Sequence, residues 1–266
     1  MKRANMEWSE VGNLTPVESP RVGLIFPVCD GDERHFARFY AELTRLGFPF
    51  VAHFDHCCSN TKFKFQAHPL CTGWSTDDDP KSFFDESFRQ QALDVLVATR
   101  RFTHMIHMDV DETLERDAPE MILEIARSGV DVAKFRCLDL WGDDLHYRVD
   151  GVFAGSRREK VFKLLGNKLK YPHPTAHAPN VTPEGGKRGD ARVVETDVKI
   201  LHWGIMNLED AQFHKDRWDA IYTRKVGSNP YGGYTYYFDS AKDGLERVAE
   251  VPEEVFRGRR QVDNPS

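Results

Sequence analysis

The chain has 266 residues, 40% apolar and 29% charged, with a formal net charge of −6, enough for one large domain or two small ones of ordinary soluble composition. No apolar run nears the ~20 residues that span a bilayer. The first twenty residues hold no apolar signal core, and five cysteines make no even framework, so the sequence predicts a reducing, cytoplasmic setting without a membrane span. The acidic balance gives no global reason to expect nucleic acid or an anionic membrane as partner. Charge is uneven, though: "SRREKVFKLLGNKLKY" (156–171) holds six Lys/Arg against one Glu. Such a face could hold phosphates, but a solvated surface is the commoner use of a charge run.

In chain order, residues 1–20 are polar, carry Pro16 and Pro20, and predict an N-terminal arm. "RVGLIFPV" is a continuous apolar run of the kind a buried parallel strand shows. In "DERHFARFYAELTRLG", Phe36, Phe39, Tyr40, Leu43 and Leu46 recur at helical spacing, with Gly47 as the stop. "FPFVAHFD" reads as a second strand, completing a β-α-β opening, and a polar, Cys-containing loop is expected up to Pro80. Ser82 could cap a helix through "FFDESFRQQALDVLVATRR". Further along come a strand ending at "MIHMDVDE", a helix through "APEMILEIARSG", and strands at Val130–Leu140, "VFKLL" and "VKILHWG". "NLEDAQFHKDRWDAIYTRKV" predicts a last helix before a Tyr- and Gly-rich stretch. The expected organisation is an arm (1–20), an α/β domain (21–240) with a mixed, mostly parallel sheet flanked by helices, and a tail (241–266).

The chemistry concentrates in "FTHMIHMDVDETLERD" (102–117). Strand alternation puts Asp109 and Asp111 on one face. Two carboxylates so close repel unless a cation lies between them. Hard ions, Mg²⁺ or Mn²⁺, suit oxygen ligands and share their open positions with substrate phosphates. An EF-hand reading fails because Leu114 stands where that loop needs glycine. A haloacid-dehalogenase-type phosphatase would use Asp109 as nucleophile and Asp111 as proton shuttle. Neither "WGDDLHYRVD" nor "KRGDARVVETD" supplies its later metal motif. Helix capping explains one acid, not two on one face.

"RVGLIFPVCDGDE", "FVAHFD", "MIHMDVDE" and "ILHWGIMNLEDAQFHKDRW" together resemble, in order and spacing from Arg21 to Trp218, the family-two-like nucleotide-sugar glycosyltransferases of GT-A type. The resemblance implies a Rossmann-type single domain and a donor, a UDP-sugar by preference, bound with Mn²⁺ or Mg²⁺. Pro27 and Asp30 fall where the first-strand loop lines the nucleotide, and Asp55 where an acid contacts the base. Asp109 would face ribose and metal, Asp111 would ligate the metal, His202 would complete its shell, and Lys215 would reach the diphosphate.

An inverting transfer also needs a base for the acceptor hydroxyl. The family's usual motif for it is not recognisable, so Asp144, then Asp143, then Glu209 are the candidates. Arg89 could pair with a phosphate or lie on the surface. A zinc site from His56, Cys57, His68 and Cys71 is weighed against ordinary loop and core residues. His107 reads as a packed core histidine, and His173 and His177 as members of a structured loop. The acceptor stays open between a glycan, a small molecule and a modified base in DNA, the last because "NPYGGYTYYFD" (229–239) interleaves stacking aromatics with glycine. The alternatives to a transferase are the phosphatase and a non-catalytic sugar- or nucleotide-binding module.

Overall fold

A computed structural model describes residues 18–77, 87–164, 169–170, 182–183, 191–226 and 248–256. The expected arm up to residue 17, the Ser82 cap, His173, His177 and the 229–239 stretch lie outside the described residues. The fold is mixed α/β, with a mostly parallel sheet flanked by helices, as the β-α-β opening predicts. By its contacts the chain divides into two compact units: 1–110 with 117–135 and 157–198, and 111–116 with 136–156 and 199–266. Among the described residues no helix is long and apolar enough to cross a membrane.

In the first unit, β1 (Val22–Val28) pairs in parallel with β2 (Phe50–Asp55) on one side and β4 (His104–His107) on the other. A strand hydrogen-bonded on both edges and covered on both faces must be apolar throughout, which is why "VGLIFPV" shows no alternation. One face is closed by α1 (Glu33–Leu46), whose Phe39 ring stands edge-on to Phe26 at 4.8 Å. Gly47 ends that helix at φ 71°, a conformation that favours glycine, and its N–H caps the Leu43 carbonyl at 3.2 Å. The alternate β1 residue Ile25 faces the other way, into a cluster with Val51, Met105 and Ala92, Leu93 and Leu96 of α3 (Ser87–Ala98). Burying each such side chain contributes about 1.5–3 kcal/mol; truncating the fully buried Phe26 to Ala would cost about 3–5 kcal/mol.

The structure departs from the expected loop before Pro80, which contains α2 (Ser59–Gln66) and β3 (Cys71–Asp77), parallel to β2. β8 (Arg157–Lys163) runs antiparallel to β4 on its other side; the same unit holds α4 (Ala118–Ser128) and the antiparallel pair β9 (Leu169–Lys170) and β10 (Thr182–Pro183). The order β3-β2-β1-β4-β8 therefore reverses its direction of growth at β1. In sheets of this kind, ligands bind at the carboxyl ends of the strands beside that reversal.

The second unit holds β5 (Glu112–Leu114), which pairs antiparallel with the last residues of β11 (Val193–His202), in register His202 with Glu112. It also holds the end of β6 (Val132–Asp139), β7 (His146–Arg148) and α5 (Leu208–Val226). Residues 248–256, inside the expected tail, form β12 (Val248–Glu250) on β7 and α6 (Glu253–Phe256). Val251 and Val255 bury there with Leu138, Leu140, Leu201 and Trp203. Arg148 is fully buried, its guanidinium 4.7 Å from the Trp141 ring and 4.5 Å from the Phe153 ring, and bonded to Asp150 at 2.7 Å. The pair and the two rings replace the water that a buried charge loses.

The expectation that the two aspartates share a strand face needs correction. β4 ends at His107, so Asp109 and Asp111 do not share a strand face; Val110 and Asp111 form a turn before β5 begins. The chain must turn here because β5 pairs with β11 instead of prolonging β4.

Candidate active site

At the carboxyl ends of the first unit's parallel strands stand the residues expected to face a nucleotide. Pro27 is half-buried near the end of β1, and Asp30 opens the short turn that follows. Asp55 ends β2 almost fully buried, its Oδ1 2.6 Å from Nδ1 of His56. His56 adopts φ 54°, a left-handed conformation that costs a non-glycine residue about 1–3 kcal/mol; the bond to Asp55 helps to offset this. Following β4, Asp109 accepts a hydrogen bond from Arg89 Nη2 of α3 at 3.2 Å. His107 Nε2 lies 3.7 Å from the same oxygen. Burial first, and the nearby Arg89 second, push the His107 pKa well below the usual imidazole value. The ring is therefore neutral at physiological pH, and Arg89 supplies the charge opposite Asp109.

In the second unit, the backbone N–H of Trp203 bonds the Asp111 carbonyl at 2.8 Å, and the Trp203 indole donates to Thr113 Oγ1 at 2.9 Å. These bonds fasten the turn to the end of β11. His202 Nε2 then lies 3.4 Å from Asp111 Oδ2, with the two side chains only 13% and 18% exposed. On the other side of the ring, Nδ1 lies 2.7 Å from Oδ1 of Asp139, the buried last residue of β6. Glycine follows Trp203 for a steric reason: a Cβ on Gly204 would collide with Asp111 Oδ2 and stand 2.9 Å from His202 Nε2.

One carboxylate and one imidazole are groups that could hold a divalent cation. Two ligand atoms each ~2.1 Å from one ion and near a right angle stand roughly 3 Å apart, close to the Asp111–His202 spacing of 3.4 Å. The missing Cβ lets the Gly204 backbone pass close to both facing atoms. Cys137 Sγ, an Asp139 oxygen and a His202 nitrogen also fall within 4.8 Å of one another. That group adds a soft thiol, and within it Asp139 sits at hydrogen-bond distance from Nδ1.

Of the remaining candidates, Asp143 and Lys215 have partners of their own. Asp143 accepts from the backbone N–H groups of Leu145 and His146 at 2.8 and 2.9 Å and from the His146 ring at 2.8 Å. The His146 bond first, and the Leu145 amide next, lower its pKa and make it a poorer base. Asp144 is exposed on the same turn, and Glu209 is exposed in the first turn of α5. Lys215 bonds Asp219 one turn further along α5 at 2.6 Å. The weighed zinc ligands do not converge. Cys57 donates to the Val28 carbonyl at 3.0 Å, Cys71 to that of Gly73 at 3.6 Å, and His68 Nε2 meets Thr44 Oγ1 at 3.1 Å. Sequence reasoning missed Asp139, although an aspartate ending an apolar strand was the signal that singled out Asp109.

No family model matches the sequence, and no curated protein matches it either. Among solved structures, the chain is similar to a "putative nucleotide-diphospho-sugar transferase" from Desulfovibrio desulfuricans G20. The two are 14% identical, the match covers 85% of this chain and 97% of that one, and the TM-score is 0.37.

Proposed function

We propose that this protein is a metal-dependent glycosyltransferase that moves a sugar from a nucleotide-sugar donor, a UDP-sugar by preference, to an acceptor hydroxyl. The observation that carries the reading is the Asp111–His202 pair at 3.4 Å, packed against the Cβ-free Gly204. Asp111 and His202 hold Mn²⁺ or Mg²⁺, which when bound supplies a Lewis acid for the departing diphosphate. In the first unit, Asp55 takes a donor of the base, Asp109 takes a ribose hydroxyl, and Pro27 and Asp30 line the nucleotide. Arg89 holds the Asp109 carboxylate in place and keeps it from repelling the anionic donor. Lys215 serves the diphosphate once it exchanges Asp219 for phosphate oxygens. Asp144 is assigned as the base for the acceptor hydroxyl, because Asp143 is engaged in closing its turn.

The test is thermal denaturation with UDP-sugars and GDP-sugars, each with and without Mn²⁺. The expected result is a manganese-dependent gain with one donor class in the parent and none in Asp111→Asn, whose melting without ligand stays near the parent's. An equal gain in parent and variant would refute the ligand assignment. Slow hydrolysis of the bound donor would separate an enzyme from a binding module, and turnover of a generic phosphomonoester would favour the phosphatase.

A further inference from the structure

We propose that Asp139 is the positioning residue of the second unit's centre: its carboxylate accepts the Nδ1 proton of His202 and so aims Nε2 at Asp111. As a role in metal binding this rests on the metal-dependent reading above; as a statement about the imidazole it stands on geometry alone. Imidazole is symmetric enough to present either nitrogen, and a free ring in water favours the proton on Nε2, the wrong one for a ligand at that atom. Asp139 is 4% exposed and lies 2.7 Å from Nδ1, within range of a charge-assisted bond. The Leu140 N–H donates to the His202 carbonyl at 3.1 Å, so the end of β6 holds the backbone of His202 as well as its ring. With ring and main chain both fixed, Nε2 can point only toward Asp111 Oδ2. Histidines that bind metals commonly give their second N–H to a carboxylate in this way, and removing that partner costs roughly 10–100-fold in metal affinity.

This role is separate from direct ligation by Asp139. At 2.7 Å the Asp139 oxygen and Nδ1 are at hydrogen-bond distance, and in the proposed arrangement a proton, not an ion, lies between them. On this assignment Cys137, two residues earlier on β6, is not a metal ligand.

The experiment uses the full chain with histidine labelled in ¹⁵N. In the metal-free parent at pH 8, His202 should carry its proton on Nδ1, and in Asp139→Ala the ring should revert to the Nε2–H form. Manganese titration should show affinity lower by roughly 10–100-fold in Asp139→Ala. Asp139→Asn, which keeps an oxygen acceptor without the charge, should lie between that variant and the parent. Should the alanine variant fold poorly, Asp139→Asn and its His202 spectrum decide alone. A lowered melting temperature with unchanged manganese affinity would reduce Asp139 to a structural role and overturn the proposal. An Nε2–H ring in the parent would do the same. So would a thiolate-to-metal band in the cobalt-loaded parent that is lost in Cys137→Ser. A parent with the Nδ1–H ring but no manganese binding would sink the metal-dependent reading and leave the assignment of Asp139's hydrogen bond standing.

Discussion

Asp109 and Asp111 are the same residue type, one residue apart, yet they meet different chemistry. Asp109 faces the Arg89 guanidinium at 3.2 Å, a permanent charge with no lone pair to share. Asp111 faces an imidazole at 3.4 Å whose other nitrogen is held by a carboxylate. The first arrangement balances charge; the second is the one to which the proposed cation is assigned. A carboxylate pair in a motif is therefore not one functional unit. Each member's partner decides its work, and here the partners come from distant parts of the chain.

The first region differs further in how it holds histidine, and acid pushes on that difference hardest. His104 on β4 is fully buried, and its pKa is lowered to about 4, chiefly by burial and then by Lys163, against an opposing effect of Asp131. Above pH 6.5 the ring is neutral in folded and unfolded chains alike. As pH falls from 6.5 to 4, the unfolded chain takes up a proton that the folded chain refuses. Stability is therefore lost across that window, by roughly 3 kcal/mol from this ring, and the loss levels off below it. Chemical denaturation of parent and His104→Asn between pH 8 and 4 should show the acid limb flattened in the variant. Parallel limbs would mean that His104 is not held neutral.

The second region breaks under one added methyl group. Gly204→Ala would drive a Cβ into Asp111 Oδ2 and His202 Nε2. The flexible carboxylate end can swing away, so folding should suffer little, but the two ligand atoms separate. Manganese affinity should fall about 30-fold, roughly 2 kcal/mol, with the melting temperature of the metal-free protein nearly unchanged. Manganese binding equal to the parent's would show that the cation does not sit on this pair.

The parts of this contrast that could be read from the sequence are those fixed by local pattern. β1, α1 and β2 were legible because strands buried on both faces and a one-sided helix impose continuous and 3.6-residue apolar patterns. α2 and β3 were not. α2 buries only Thr61 and Phe65 while Phe63 stays 69% exposed, and β3 is an edge strand with no fully buried residue. Asp109, Asp111 and His202 drew notice as residue types, but the turn that separates the two aspartates depends on β5 finding β11 about 90 residues away. Arg89 and Asp139 reach their partners the same way, through helix packing and strand order that no local window contains.

The smallest expected effect tests whether the two aspartates are as independent as their partners suggest. Arg89→Met removes the guanidinium while keeping the length that packs in α3. Asp109 loses its counter-charge, but its side chain is one-third exposed, so water compensates and the cost should be about 1 kcal/mol. Arg89→Lys should recover part of it, since ammonium restores the charge without the fork geometry. Manganese affinity should match the parent's in both variants, because Arg89 is bonded to Asp109 and the cation is assigned to Asp111 and His202. If Arg89→Met instead shifts manganese binding as far as Asp111→Asn does, the carboxylates act as one electrostatic unit and the division of work between them fails.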